Sequence, residues 1–158
     1  LAGTGPTSAH LKRLAANLGV SATIGRVTDE QLKDLYETAD VFVQCSRVEL
    51  EGMSALEAMA AGCPTLLNRT ETSALSELIQ DPMGAFTDEA PNMLTQKLDA
   101  LLSNPGARQF LADQNRAFAL TRRHEASAAQ LANLYRHALG DKLKSEAGQP
   151  MTDAGHAS

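Results

Sequence analysis

The chain predicts an α/β domain in which a parallel sheet carries helices on its faces. Short β-branched runs alternate with helical stretches along most of its 158 residues, which is the pattern of a parallel sheet. The connections between them are short, and Gly and Pro punctuate the boundaries. After Gly5-Pro6, the stretch TSAHLKRLAANLGV has apolar residues at 11, 14, 15 and 18, the spacing of a helix. Pro6 and Gly19 stand where a helix tolerates them, near its start and just past its end. SATIGRV then reads as a short strand. TDEQLKDLYETA predicts a helix whose Thr28 and Gln31 form a capping box, with Leu32, Leu35 and Tyr36 as its inner stripe.

VFVQC, compact, β-branched and aromatic, reads as a buried strand. A helix at about 52–61 follows, stopped by Gly62-Cys63-Pro64, and TLLN makes the next strand. SALSELI is a short helix and Gly84-Ala-Phe-Thr a last strand, with helices near 91–103, 106–118 and 123–139 after it. From Asp141 periodicity is lost. The reading is therefore one domain over 1–140 and a disordered tail over 141–158.

Composition narrows the function classes. One domain of this length buries about 68–70% of its unfolded surface. A formal net charge of −5, with no Trp, two Tyr and four Phe, argues against nucleic acid as a partner. Cys45 and Cys63 form no metal-ligand pattern and fit a reducing compartment, each as a small buried apolar residue. No stretch has the run of apolar residues that a membrane span needs, and no leader is evident, so the expected location is cytoplasmic. Peripheral membrane contact is left open but is not indicated. The chain opens on LAGTGP without an initiator Met, which predicts a fragment whose first residues end a strand.

The stretch with chemical content is VELEGMSALEAMAAGCP, residues 48–64. In a parallel sheet, ligands bind outside the carboxyl ends of the strands, and the turn after VFVQC lies there. Gly52 permits an unusual φ where the helix begins, so the amides of Met53 and Ser54 point outwards and suit a phosphate. Glu57 stands one turn further in, among Ala, Leu and Met, where a buried carboxylate is costly unless bonded. A ribose diol offers it two donors. Glu49, on the preceding loop, has the same capacity for a sugar. The plainer reading is that Glu57 pairs with a Lys or Arg of a neighbouring helix, and the spacing of the two glutamates does not exclude it.

The context decides. CSRVELEGMSALEAMAAGCPTL resembles the signature of retaining glycosyltransferases with the GT-B fold, the group 1 (family 4-like) enzymes. GTGP, VTDEQLKDLYETADVFV, Glu77, Gly84 and LANLYRHAL follow the family's order, so the resemblance covers about residues 2 to 139. It implies a Rossmann-like sheet, the C-terminal half of a GT-B fold, truncated at its N-terminus. Glu49 then matches the glutamate that binds the donor sugar near the reacting centre and carries the catalytic assignment. Gly52, Met53 and Ser54 match the turn that meets sugar and diphosphate, and Glu57 matches the ribose ligand.

The resemblance further implies a nucleotide diphosphate sugar as donor, no metal and no other cofactor, and an N-terminal acceptor-binding domain as partner. The family's diphosphate-binding Arg and Lys would precede Leu1, so the isolated chain is expected to be inactive and its sheet poorly supported. Two departures stand out: Leu50-Glu51-Gly52 replaces the common Gly-Phe-Gly, and Cys45 replaces a proline. Glu51 is expected to turn away towards Arg47. Two alternatives remain, a non-catalytic nucleotide-sugar-binding or interaction module and another GT-B enzyme such as a nucleotide-sugar epimerase. The basic cluster Arg122, Arg123 and His124 reads as a solvated helix start, and Asn68 and Thr70 stand at the ligand edge.

Overall fold

The computed structural model describes residues 1–90, 92–122 and 124–147. They form two compact units, which meet in sequence at Leu120 and Thr121. The first unit is built on a three-stranded sheet of β1 (Phe42–Gln44), β2 (Thr65–Asn68) and β3 (Ala85–Phe86), in that spatial order. Both pairings are parallel, with Phe42 opposite Thr65 and Leu67 opposite Ala85. A Rossmann-like α/β arrangement is thus present. The sheet is central because β2, paired on both sides, has every residue buried.

The helices are α1 (Ser8–Asn17), α2 (Asp29–Thr38), α3 (Met53–Ala60), α4 (Leu75–Leu78), α5 (Met93–Ser103), α6 (Pro105–Thr121) and α7 (His124–Ala147). The capping box of α2 forms as read: Thr28 Oγ1 accepts from the Gln31 amide at 3.2 Å, and Gln31 Oε1 accepts from the Thr28 amide at 2.9 Å. α3 crosses from β1 to β2 and α4 returns from β2 towards β3. Ala55, Met59, Leu67, Leu75, Leu78 and Ala119 form the main core, with Phe42 and Phe118 against it. A second cluster joins Tyr36, Ala58 and Cys63, with the Tyr36 ring set edge-on to Phe42, 5.7 Å between centroids. Asn115 is also buried, and its side chain donates to Thr65 Oγ1 at 2.9 Å, which satisfies both polar groups.

Several expectations change. SATIGRV forms no strand: one parallel bridge, Ala2 with Gly25, is all that is made there. VFVQC is half-buried and not buried, because β1 has a sheet partner on one side alone among the described residues. Leu35 is exposed, and the inward stripe of α2 is Leu32 and Tyr36. α1 buries none of its residues. α7 runs through Ala147, so the loss of periodicity at Asp141 does not end the helix. Arg123 of the basic cluster and residues 148–158 of the expected tail lie outside the described residues.

Leu67, 1% exposed, fills the centre of the main core. Leu67→Ala should destabilise the fold by about 2–5 kcal/mol, read by urea denaturation, whereas Leu50→Ala, at an exposed position, should change stability by less than about 0.5 kcal/mol.

Candidate functional site

The loop between β1 and α3 is built around Gly52. Its φ of 70° and ψ of 34° lie in the left-handed region, where a side chain is disfavoured. Space forbids one as well: a Cβ there would stand 2.7 Å from Leu78 Cδ1 and 3.2 Å from Leu75 Cδ2. The chain thereby turns sharply into α3 with its back against α4. No side chain caps α3. Its first-turn amides, those of Met53 and Ser54 among them, are therefore directed out of the helix start with the positive end of the helix dipole behind them.

Three ties fix this loop to its neighbours. The Arg47 carbonyl accepts hydroxyl hydrogen bonds from Thr70 at 2.7 Å and Thr72 at 3.1 Å. Glu49 forms a parallel bridge with Ser73, its carbonyl accepting from the Ala74 amide at 2.9 Å. The Arg47 guanidinium pairs with Asp88. That pairing overturns the expected contact with Glu51, which is exposed: the loop after β3 brings a carboxylate closer than the loop's own.

Glu49 is half-buried and held in place. Its Oε2 accepts from Gln44 Nε2 at 2.9 Å and its Oε1 from the Leu50 amide at 3.2 Å. Gln44 Oε1 in turn accepts from the Ser54 hydroxyl at 3.2 Å, so the end of β1, the loop and the start of α3 share one network. A carboxylate has about four acceptor positions, so two remain for a ligand's hydroxyls.

Glu57 stands apart from this network. It is exposed, not buried as the apolar run suggested, because α3 turns Met53, Glu57 and Ala60 away from the core. Among the described residues no Lys or Arg is paired with it. Its Oε2 accepts instead from the Tyr36 hydroxyl at 3.3 Å, which the sequence had assigned to the core alone. Together they line a cavity of about 470 Å³ between α2 and α3, with Asp29, Leu32, Lys33, Glu37, Ala60 and Ala61. Glu49, on the loop before α3, is not among its lining.

Other residues fall into place around these. Met53 is exposed, whereas Met59 is core. Cys63 is buried as expected, and burial raises its thiol above the usual range. Cys45 is exposed, although partial desolvation raises its thiol too. Asn68, at the carboxyl end of β2, is buried with its amide directed at the Cys45 carbonyl, and Thr70 spends its hydroxyl on Arg47. A second cleft of about 620 Å³ opens over the ends of β2 and β3, with Arg69, Glu71, Asp88 and Glu89 on its walls. Neither Gln44 nor Asp88 stood out in the sequence. Their only signal was a polar residue closing an apolar strand in one case and a position after a strand in the other.

Comparison with known proteins bears on this arrangement. The family model "Glycosyl transferases group 1" matches residues 1–118. A GDP-mannose-dependent alpha-(1-6)-phosphatidylinositol dimannoside mannosyltransferase of Mycobacterium tuberculosis is 33% identical over 135 residues, 85% of this chain and 34% of that protein. A D-inositol 3-phosphate glycosyltransferase of Corynebacterium urealyticum is 30% identical over 142 residues, 84% of this chain and 33% of that protein. The chain thus spans about a third of the length of these curated relatives. Among solved structures, the catalytic domain of cholesterol-alpha-glucosyltransferase from Helicobacter pylori superposes with a TM-score of 0.73 at 28% identity, covering 78% of this chain and 77% of that one. Sucrose-phosphate synthase from Thermosynechococcus elongatus gives a TM-score of 0.71 at 23% identity over 88% of this chain and 37% of its own, a likeness of fold.

Two predictions follow from the geometry. Gly52→Ala should destabilise the protein by about 1–3 kcal/mol, read by chemical denaturation, since it combines a left-handed backbone with a clash. Burial, and then the neighbouring Glu57 carboxylate, push the Tyr36 hydroxyl up from 10.0 to about 12. Between those values the unfolded chain releases a proton that the folded one keeps, so this contribution to stability is complete below pH 10 and is lost as pH rises towards about 12. Tyr36→Phe should flatten that part of the stability profile relative to wild type, and superimposable profiles would refute the raised hydroxyl pKa.

Proposed function

The chain belongs to the group 1 glycosyl transferases, and on that premise we propose that it holds the donor of a sugar transfer, a nucleotide diphosphate sugar. The observation that carries this reading is the uncapped start of α3, with Glu57 one turn further along and open to the cavity between α2 and α3. The Met53 and Ser54 amides receive the diphosphate, and the helix dipole favours its charge. Glu57 accepts the two hydroxyls of the ribose, and hydrogen bonds of that kind contribute about 1.5–3 kcal/mol each. Its exposure makes this easier, because no buried charge has to find a partner before the ligand arrives.

Glu49 takes the hydroxyls of the transferred sugar at the other end of the site. Gln44 and the Leu50 amide fix its orientation beforehand, which lowers the cost of ordering on binding. When the bond from the anomeric carbon to the diphosphate oxygen breaks, negative charge gathers on the diphosphate, and the amides stabilise it without rearrangement. In this reading the transfer needs no divalent metal and retains the anomeric configuration. The acceptor attacks from the leaving-group face, so no nucleophile of the protein takes part. An acceptor-binding domain outside these residues supplies the second substrate, and an Arg and a Lys of the donor domain itself, also outside these residues, complete the diphosphate site.

Calorimetric titration with UDP, GDP and ADP tests the proposal. One nucleotide should bind, and Glu57→Gln, equal in size but uncharged, should weaken it about tenfold or more. Equal binding by both proteins would remove Glu57 from the site.

A further inference from the structure

The sugar end and the diphosphate end of the proposed site are joined by a run of three polar side chains. Ser54 Oγ donates to Gln44 Oε1 at 3.2 Å, and Gln44 Nε2 donates to Glu49 Oε2 at 2.9 Å. All three residues are half-buried. Gln44 closes β1 after Phe42 and Val43, so the middle of the run is anchored on the sheet.

The chemistry of its members fixes the direction of this run. An ionised carboxylate only accepts hydrogen bonds, so Gln44 must turn its amide NH2 towards Glu49. The amide oxygen is left facing Ser54, and it too only accepts. The single hydroxyl proton of Ser54 is therefore committed to Gln44. Two donors thus leave one residue for different partners. The Ser54 backbone N–H, in the first turn of an uncapped helix, is open to the diphosphate, while its O–H is already spent on the route to Glu49.

We infer that Gln44 and the Ser54 hydroxyl are positioning residues for the transferred sugar, and that the Ser54 side chain takes no part in holding the diphosphate. This rests on Glu49 as the sugar ligand and on the first amides of α3 as the diphosphate ligand. The Leu50 amide holds the other carboxylate oxygen at 3.2 Å, but it belongs to the adjoining residue and moves with the loop. Gln44 ties the carboxylate to β1, and Ser54 ties Gln44 to α3. Loss of either link lets the Glu49 side chain sample rotamers, and the sugar must order it again on binding. The diphosphate contact, made by backbone, is unaffected.

Calorimetric titration compares wild type, Gln44→Leu, Ser54→Ala and Ser54→Thr, each also combined with Glu49→Ala and each checked for folding by circular dichroism. The ligands are inorganic pyrophosphate, the nucleoside diphosphates UDP, GDP and ADP, and the hexose conjugates UDP-glucose, GDP-mannose and ADP-glucose. Gln44→Leu and Ser54→Ala should weaken the conjugate that binds by about fivefold, with pyrophosphate and the nucleoside diphosphate held as in wild type. Ser54→Thr keeps the hydroxyl and should restore the affinity for the conjugate. Glu49→Ala should itself weaken the conjugate, and in its presence neither substitution should weaken it further. Such non-additivity marks action through Glu49, which a general loosening of the loop would not give. Weaker pyrophosphate binding by Ser54→Ala, or conjugate binding that depends on Glu49 but not on Gln44, would overturn the inference and leave the donor site standing. A conjugate indifferent to Glu49→Ala, or failure of every nucleotide to bind folded wild type, would overturn both.

Discussion

The site depends on one backbone constraint, the left-handed turn at Gly52. With a φ of 70° and the side chains of Leu75 and Leu78 where a Cβ would stand, the position admits glycine alone without rearrangement. This close approach packs the start of α3 on α4 and joins it to the main core through Ala55 and Met59. The direction of the first-turn amides is thus set by core packing. On the proposed reading, the donor would meet a helix start that is already in place, with no ordering cost for that element.

The loop before the turn is held by a different kind of interaction. Arg47 accepts from two threonines through its carbonyl and pairs with Asp88 through its guanidinium. The ion pair is largely solvent-exposed and contributes little by itself. The backbone ties, with the Glu49–Ser73 bridge, carry more, since they bind the loops after β1 and β2 into one rim. Glu49 inherits its position from that rim, and Gln44 and Ser54 then fix its rotamer.

Much of this was legible in the sequence because it is written locally. The capping box at Thr28 and Gln31, the glycine at the helix start and the strands within VFVQC and TLLN each act over a few residues, and each formed. What was not legible depends on which side of an element meets the rest of the chain. Glu57 was read as buried from the apolar run around it, yet α3 turns its Met53–Glu57–Ala60 edge outward. Leu35 failed for the same reason on α2. SATIGRV has strand composition but only one bridging partner, and composition cannot supply a second. The Tyr36–Glu57 contact joins positions 21 residues apart through packing of α2 on α3, which no local pattern records.

The central claim is that the start of α3 is an anion site with Glu57 beside it. Amide NMR of the labelled chain, titrated first with inorganic pyrophosphate and then with a nucleoside diphosphate, tests it most directly. The account predicts that pyrophosphate shifts the Met53 and Ser54 amides, and that the nucleoside adds shifts at Glu57 and along α2 near Tyr36. Shifts confined to the cleft of Arg69, Glu71 and Asp88, with the start of α3 unmoved, would contradict it.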